Sequence, residues 1–183
     1  MKEENKIAVL GLDGVGKTSL VRTLFSFEDF TFDPPKTSGI EVTEVSLKRD
    51  GQDIPILFID VGGMKVFQVT LWRELVTSDI KAIMYMVDVQ TSNRIDSDLN
   101  AFRLIIENTN VPILVLGNKY DIINEEDVIY GVNHLFEILD IVEHKINDPF
   151  REIIVLPISC KTKYNLDIII DWLYKILIKN DRN

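Results

Sequence analysis

The chain has 183 residues, with 20 Lys and Arg against 29 Asp and Glu for a formal charge of −9, and 46% of it is hydrophobic. A chain of this length buries roughly 70% of its unfolded surface when it folds, enough for one sizeable core, so a single domain over residues 1–183 is expected. The acidic balance, with no Lys/Arg run of useful length, excludes a duplex-binding face and direct attraction to anionic lipid, so nucleic acid is not expected among its partners.

Short apolar runs alternate with longer amphipathic segments and no repeat or low-complexity tract interrupts them. The pattern predicts an α/β fold, a six-stranded and mostly parallel sheet with helices on both faces. The first predicted strand, Lys6 to Leu10, leads into Gly11-Leu12-Asp13-Gly14-Val15-Gly16-Lys17-Thr18 and then a helix from Lys17 to Phe27. Strand, glycine loop and helix in this order fit a phosphate-binding loop: backbone N–H groups of Asp13 to Gly16 turn inward, and the helix N-terminus adds partial positive charge. Lys17 would reach the β and γ phosphates and the Thr18 hydroxyl would ligate Mg2+, with Ser19 following in the same turn. A glycine turn ahead of a helix is the plainer alternative, and the loop alone specifies neither base nor reaction.

Strands from Ile40 to Lys48 and Ile54 to Asp60 are separated by Arg49-Asp50-Gly51-Gln52, too short for a crossover helix, which predicts one antiparallel hairpin. A helix follows from Val66 to Thr77, where Trp72 with Leu71 and Leu75 could form a partner surface. The strand Ala82 to Asp88 ends in an Asp read as a cap or loop residue, and a helix runs from Ile95 to Asn108. The strand Ile113 to Gly117 ends in Asn118-Lys119-Tyr120-Asp121. A helix from Glu125 to His144 opens on acidic residues that suit its N-terminal dipole, and His134 and His144 within it lack ligand spacing. The last strand, Ile153 to Ile158, ends in Ser159-Cys160-Lys161, and a helix from Leu166 to Ile178 packs Trp172 on the sheet.

In open sheets of this kind ligands sit beyond the carboxyl ends of the strands, where these segments fall. A carboxylate at Asp121 accepts hydrogen bonds from the N1–H and exocyclic amine of guanine, a donor pair that adenine lacks on that edge. The stems of Lys119 and Lys161 could sandwich the ring, and the Cys160 N–H could donate to guanine O6. A polar loop in which Asp121 caps a helix is the alternative.

Cys160 is the only cysteine, which excludes an intramolecular disulfide and suits a reducing, cytoplasmic location. The start MKEENKIAVLGLDG enters an apolar strand too soon for a signal peptide, and no apolar stretch spans a bilayer. Lys at position 2 and the tail KNDRN offer no acceptor for a lipid, so membrane contact is expected only through partners.

With these motifs in order, the chain resembles the small Ras-like GTPases, most closely the ADP-ribosylation-factor branch: GLDGVGKTS resembles its phosphate loop, IDVGG at Ile59 to Gly63 its DxxG segment, LWRE at Leu71 to Glu74 the helix that follows, and NKYD and SCK its guanine motifs. The resemblance implies a monomeric switch binding GTP or GDP with Mg2+ and working with effectors, exchange factors and GTPase-activating proteins. By it, Asp60 would hold Mg2+ through water, Gly63 would offer its N–H to the γ-phosphate, and Thr37 would ligate Mg2+ only in the triphosphate state; loss of that phosphate would release both loops.

Position 64, where the family places the Gln that orients the attacking water, is Met64. A thioether has no donor and is at best a weak acceptor, so hydrolysis is expected to slow by on the order of 10²-fold or more unless a partner supplies the missing group. The positions of the family's aromatic effector cluster are occupied by Ile40, Ile59 and Leu75. The segment from Thr37 to Asp60 is longer than usual, which argues against the family's interswitch slide, and the short stretch before Lys6 leaves no room for its N-terminal amphipathic helix. A GTP-binding scaffold that does not turn over is therefore the rival reading, and an ATP-dependent kinase or transport ATPase, sharing only the phosphate loop, is a third.

Overall fold

The computed structural model describes residues 4–25, 39–62, 72, 74–75, 78–90, 94–122, 135, 137 and 152–180. Six strands, β1 (Lys6–Gly11), β2 (Ile40–Arg49), β3 (Gln52–Val61), β4 (Ala82–Asp88), β5 (Ile113–Asn118) and β6 (Ile153–Pro157), form one sheet in the order β2-β3-β1-β4-β5-β6. Every neighbouring pair is parallel except β2 with β3. The carboxyl ends of β1, β3, β4, β5 and β6 therefore share one edge, where the predicted motifs emerge.

The hairpin extends further toward its turn than the apolar pattern predicts. Asp50 (φ 51°) and Gly51 (φ 75°) both lie in the left-handed region, which makes a two-residue turn matched to strand twist, so Arg49 pairs directly with Gln52. At this turn, the end of the hairpin remote from the motifs, Arg49 donates to the Asp171 carboxylate and its guanidinium lies 4.9 Å from the centroid of the Tyr174 ring. At the other end of the sheet, Pro157 ends β6, and its missing N–H costs little on an edge strand. Ile158, predicted as strand, lies just beyond it, donating to the Gly117 carbonyl at 2.8 Å and accepting from the Tyr120 N–H at 3.1 Å.

Alternation along the strands sorts the core onto two faces. Ile7, Val9, Met84, Met86, Leu114 and Leu116 face α1 (Lys17–Phe25) and α3 (Leu166–Asn180), which contribute Leu20, Ile169, Trp172 and Leu173. Ala8, Leu10, Ile83, Tyr85 and Val87 face α2 (Ile95–Asn108) with its Phe102 and Ile105. Buried Ile169, Trp172, Leu173, Ile176 and Leu177 recur at helical spacing on α3, and each such side chain stabilises the fold by about 1.5–3 kcal/mol. Helix α2 ends at Asn108, after which Thr109 is extended and Pro112 bars further helix. Among the described residues no helix is long and apolar enough to cross a membrane.

Of the helix predicted from Val66 to Thr77, only Trp72, Glu74 and Leu75 are described, and they are helical; Leu135 and Glu137 are helical in the segment from Glu125 to His144, whose two histidines lie outside the described residues. Trp72 is not a partner surface: it is 2% exposed and meets Tyr85 edge-on at 6.3 Å between ring centroids.

Asp98, in the first turn of α2, is buried beside Tyr85, whose hydroxyl donates to the Asp98 carbonyl at 2.8 Å. Burial pushes its carboxyl up to about 7, Arg94 opposing and Asp88 reinforcing. The folded chain thus keeps a proton there that the unfolded chain releases near pH 4, and it loses stability as the pH rises through about 7. Asp98→Asn, which cannot ionise, should therefore gain stability over the parent by about 2 kcal/mol more at pH 8 than at pH 5.5. Thermal unfolding followed by circular dichroism measures this, and an equal difference at both pH values would rule out ionisation of Asp98 as its source.

Candidate nucleotide-binding site

The loop between β1 and α1 needs its glycines where neighbours approach. Gly16 has φ 100°, and a Cβ there would run into the Asn118 side-chain amide; Gly11 has φ 143°, and a Cβ there would run into the Met86 carbonyl. Asp13 and Gly14 form the turn, while Val15 buries its side chain in the core. Lys17 opens α1 and reaches back across the loop, its ammonium donating to the carbonyls of Gly11 at 3.0 Å and Leu12 at 3.1 Å. Burial lowers its pKa, with Asp60 and Asp13 opposing that shift. In the same turn, the Ser19 carbonyl accepts from the Thr23 hydroxyl at 2.7 Å.

Thr18 and Asp60 meet across the top of the sheet, with the hydroxyl donating to the carboxylate at 2.6 Å. A hydroxyl and a carboxylate are hard oxygen donors of the kind Mg2+ accepts, and Mg2+ ordinarily completes its shell with phosphate and water. No cluster of three or more His, Cys, Asp or Glu at metal spacing occurs among the described residues. Thr37, Gly63 and Met64 lie outside the described residues.

The second half of the site is built around Asn118, at the end of β5. Its amide N–H donates to the Val15 carbonyl at 2.8 Å, and its amide oxygen accepts from the Cys160 N–H at 3.1 Å. The Cys160 N–H, read from sequence as a donor to guanine O6, is thus engaged by Asn118. Lys119 follows with φ 68°, a left-handed conformation rare for a residue with a side chain, and its ammonium meets Asp88 at 2.6 Å. Asp121 lies in a 3-10 turn (Tyr120–Ile122). Its carboxylate accepts from the Ser159 hydroxyl at 2.5 Å and has the Lys161 ammonium at 3.9 Å. The Ser159 oxygen also accepts from the Thr162 N–H at 3.0 Å. Tyr120 stacks on Tyr164 with centroids 5.7 Å apart, fastening the turn that carries Asp121 to the loop that carries Lys161.

The described residues of both predicted motifs are therefore brought to one edge of the sheet and joined there. Two contacts lay outside the sequence reading. The Arg94 guanidinium donates to the Asp13 carbonyl at 2.7 Å, tying the start of α2 to the phosphate loop. Asp88, read as a cap or loop residue, does accept from the Gln90 N–H at 3.0 Å, but its other oxygen holds Lys119. Only the position of Asp88 at a strand end could have signalled that contact, because strand order decides which neighbour it faces.

Comparison with known proteins gives a match between the ADP-ribosylation factor (Arf) family model and residues 1–177. The chain is also similar to ADP-ribosylation factor-like protein 8c of Arabidopsis thaliana, with 29% identity over 177 residues, 95% of this chain and 88% of that protein.

Burial pushes the Cys160 thiol up to about 12, reinforced by Asp121 and opposed by a hydrogen bond with Asn118. The folded protein should therefore resist iodoacetamide at pH 8, and the unfolded chain should react at the rate of a free cysteine; mass spectrometry of both reads the difference. Gly16→Ala, which forces a Cβ against Asn118, should destabilise the fold by about 1–3 kcal/mol in urea titration.

Proposed function

Because the chain belongs to the ADP-ribosylation factor family, we propose that the loop between β1 and α1, with the segments Asn118–Asp121 and Ser159–Lys161, forms its guanine-nucleotide site. Membership makes it a GTP-binding small GTPase, a switch that works with effectors, exchange factors and GTPase-activating proteins. The observation that carries the site reading is the Asn118 amide, which joins the phosphate loop to the base loop. One sheet among the described residues supports one GTPase domain over residues 1–183, and the lone buried cysteine is in keeping with the cytoplasm; a monomer completes the reading.

In this reading the backbone N–H groups of Asp13 to Gly16 and the start of α1 surround the phosphates, and Lys17 exchanges its loop carbonyls for phosphate oxygens. Thr18, directly, and Asp60, through water, would hold Mg2+, joined by Thr37 in the triphosphate state. Held by these residues, Mg2+ would supply positive charge that neutralises the charge developing on the phosphates. Asp121 reads the N1–H and exocyclic amine of guanine, flanked by the stems of Lys119 and Lys161. Thr37 and the Gly63 N–H sense the γ-phosphate, and their release on its loss is the switch.

Hydrolysis is in-line attack of water, and Met64 offers no group to orient it, so the intrinsic rate is low and partner-dependent. The same residue favours a second reading, a scaffold that holds GTP without turnover.

Denaturing freshly purified protein and identifying the released nucleotide by chromatography should give GTP or GDP; ATP or ADP instead would overturn the site reading. Asp121→Asn replaces an acceptor by a donor, so GDP affinity should fall about 10²-fold or more while xanthine nucleotides, with a carbonyl at C2, gain. Met64→Gln should raise GTP hydrolysis by on the order of 10²-fold; no gain in single-turnover assays would favour the scaffold.

A further inference from the structure

Asp88 is buried, yet it lies at the very end of β4, in register with Asn118 at the end of β5. Its two oxygens have different tasks. One accepts from the Gln90 N–H at 3.0 Å and shapes the local turn, a role that a neutral Asn would fill equally well. The other receives the Lys119 ammonium at 2.6 Å, a charge-assisted hydrogen bond that only the carboxylate makes. The Lys119 side chain is 34% exposed, and its ammonium is tied to a carboxylate that is 9% exposed. The backbone of Lys119 lies in the left-handed region at φ 68°.

We propose that Asp88 is a positioning residue for nucleotide binding: its buried carboxylate anchors the Lys119 ammonium and so presents the lysine stem as one wall for the guanine ring. This rests on the reading of the Asn118–Asp121 segment as the base site. The anchor spares the lysine the entropy of ordering its stem when nucleotide arrives, so its loss appears as faster release of nucleotide rather than slower capture. Because Asp88 acts at the base, it affects GDP and GTP alike.

The test is a double-mutant cycle on the full chain with a fluorescent N-methylanthraniloyl GDP probe, following dissociation by stopped flow. Asp88→Asn should speed release about 10-fold, with the ratio of GTP to GDP affinity unchanged. In a Lys119→Met background the same substitution should add less than about 2-fold, and Asp88→Glu should recover part of the loss. Should Asp88→Asn fail to fold, as judged by circular dichroism, Asp88→Ser keeps an acceptor for Gln90 and enters the same cycle. Equal acceleration with and without Lys119, or no acceleration at all, overturns the inference while leaving the site reading intact. A parent protein that binds no guanine nucleotide overturns both.

Discussion

The side chain of Asn118 is the contact on which the site depends. Its two hydrogen bonds reach residues 103 and 42 positions away in sequence, one in the loop after β1 and one in the loop after β6. Each loop alone would be a surface connection free to sample many conformations. Anchored to one buried amide at the end of β5, they hold a fixed separation. An amide is required because the two partners differ: Val15 presents a carbonyl and Cys160 an N–H. An Asp at the same place has no donor for Val15, and a Leu would leave both buried groups without partners, at about 1–3 kcal/mol each. The bare Cα of Gly16 completes the arrangement by letting the amide approach the phosphate loop.

The same contact explains what could and could not be read from sequence. Strand alternation and the Asp50-Gly51 turn were legible because they depend on neighbours within a few residues, and so was the phosphate loop with its flanking strand and helix. Strand ends at Arg49 and Gln52 were missed because pairing across the hairpin, rather than hydrophobicity, carries the ladder to the turn. Trp72 was misjudged because an amphipathic pattern shows that a helix has an apolar side without showing what covers it. That Asn118, Asp121, Ser159 and Lys161 lie together beyond the strand ends was legible through their strings, but their mutual bonds were not. The engagement of the Cys160 N–H, the reach of Arg94 to Asp13 and the pairing of Asp88 with Lys119 all cross between chain segments that only the strand order brings together.

Charge shows the same separation between composition and site. The chain is acidic at −9, yet its loop between β1 and α1 buries the ammonium of Lys17. Distant carboxylates matter little there, since screening confines exposed charges to about 10 Å at ordinary ionic strength. What decides there is local: the first turn of α1, the carbonyls of Gly11 and Leu12, and the ammonium of Lys17, which burial has made costly to keep charged. Loop carbonyls bond that ammonium through their dipoles, with Asp60 and Asp13 adding charge support, and an ionised oxygen bonded directly would compensate it more strongly. A phosphate that took their place would relieve the burial cost of Lys17, while Thr18 and Asp60 would draw a cation to the same phosphate. Net charge therefore affects how fast anionic and cationic partners approach the surface, and the loop, which buries one cation against its own carbonyls, sets what it retains.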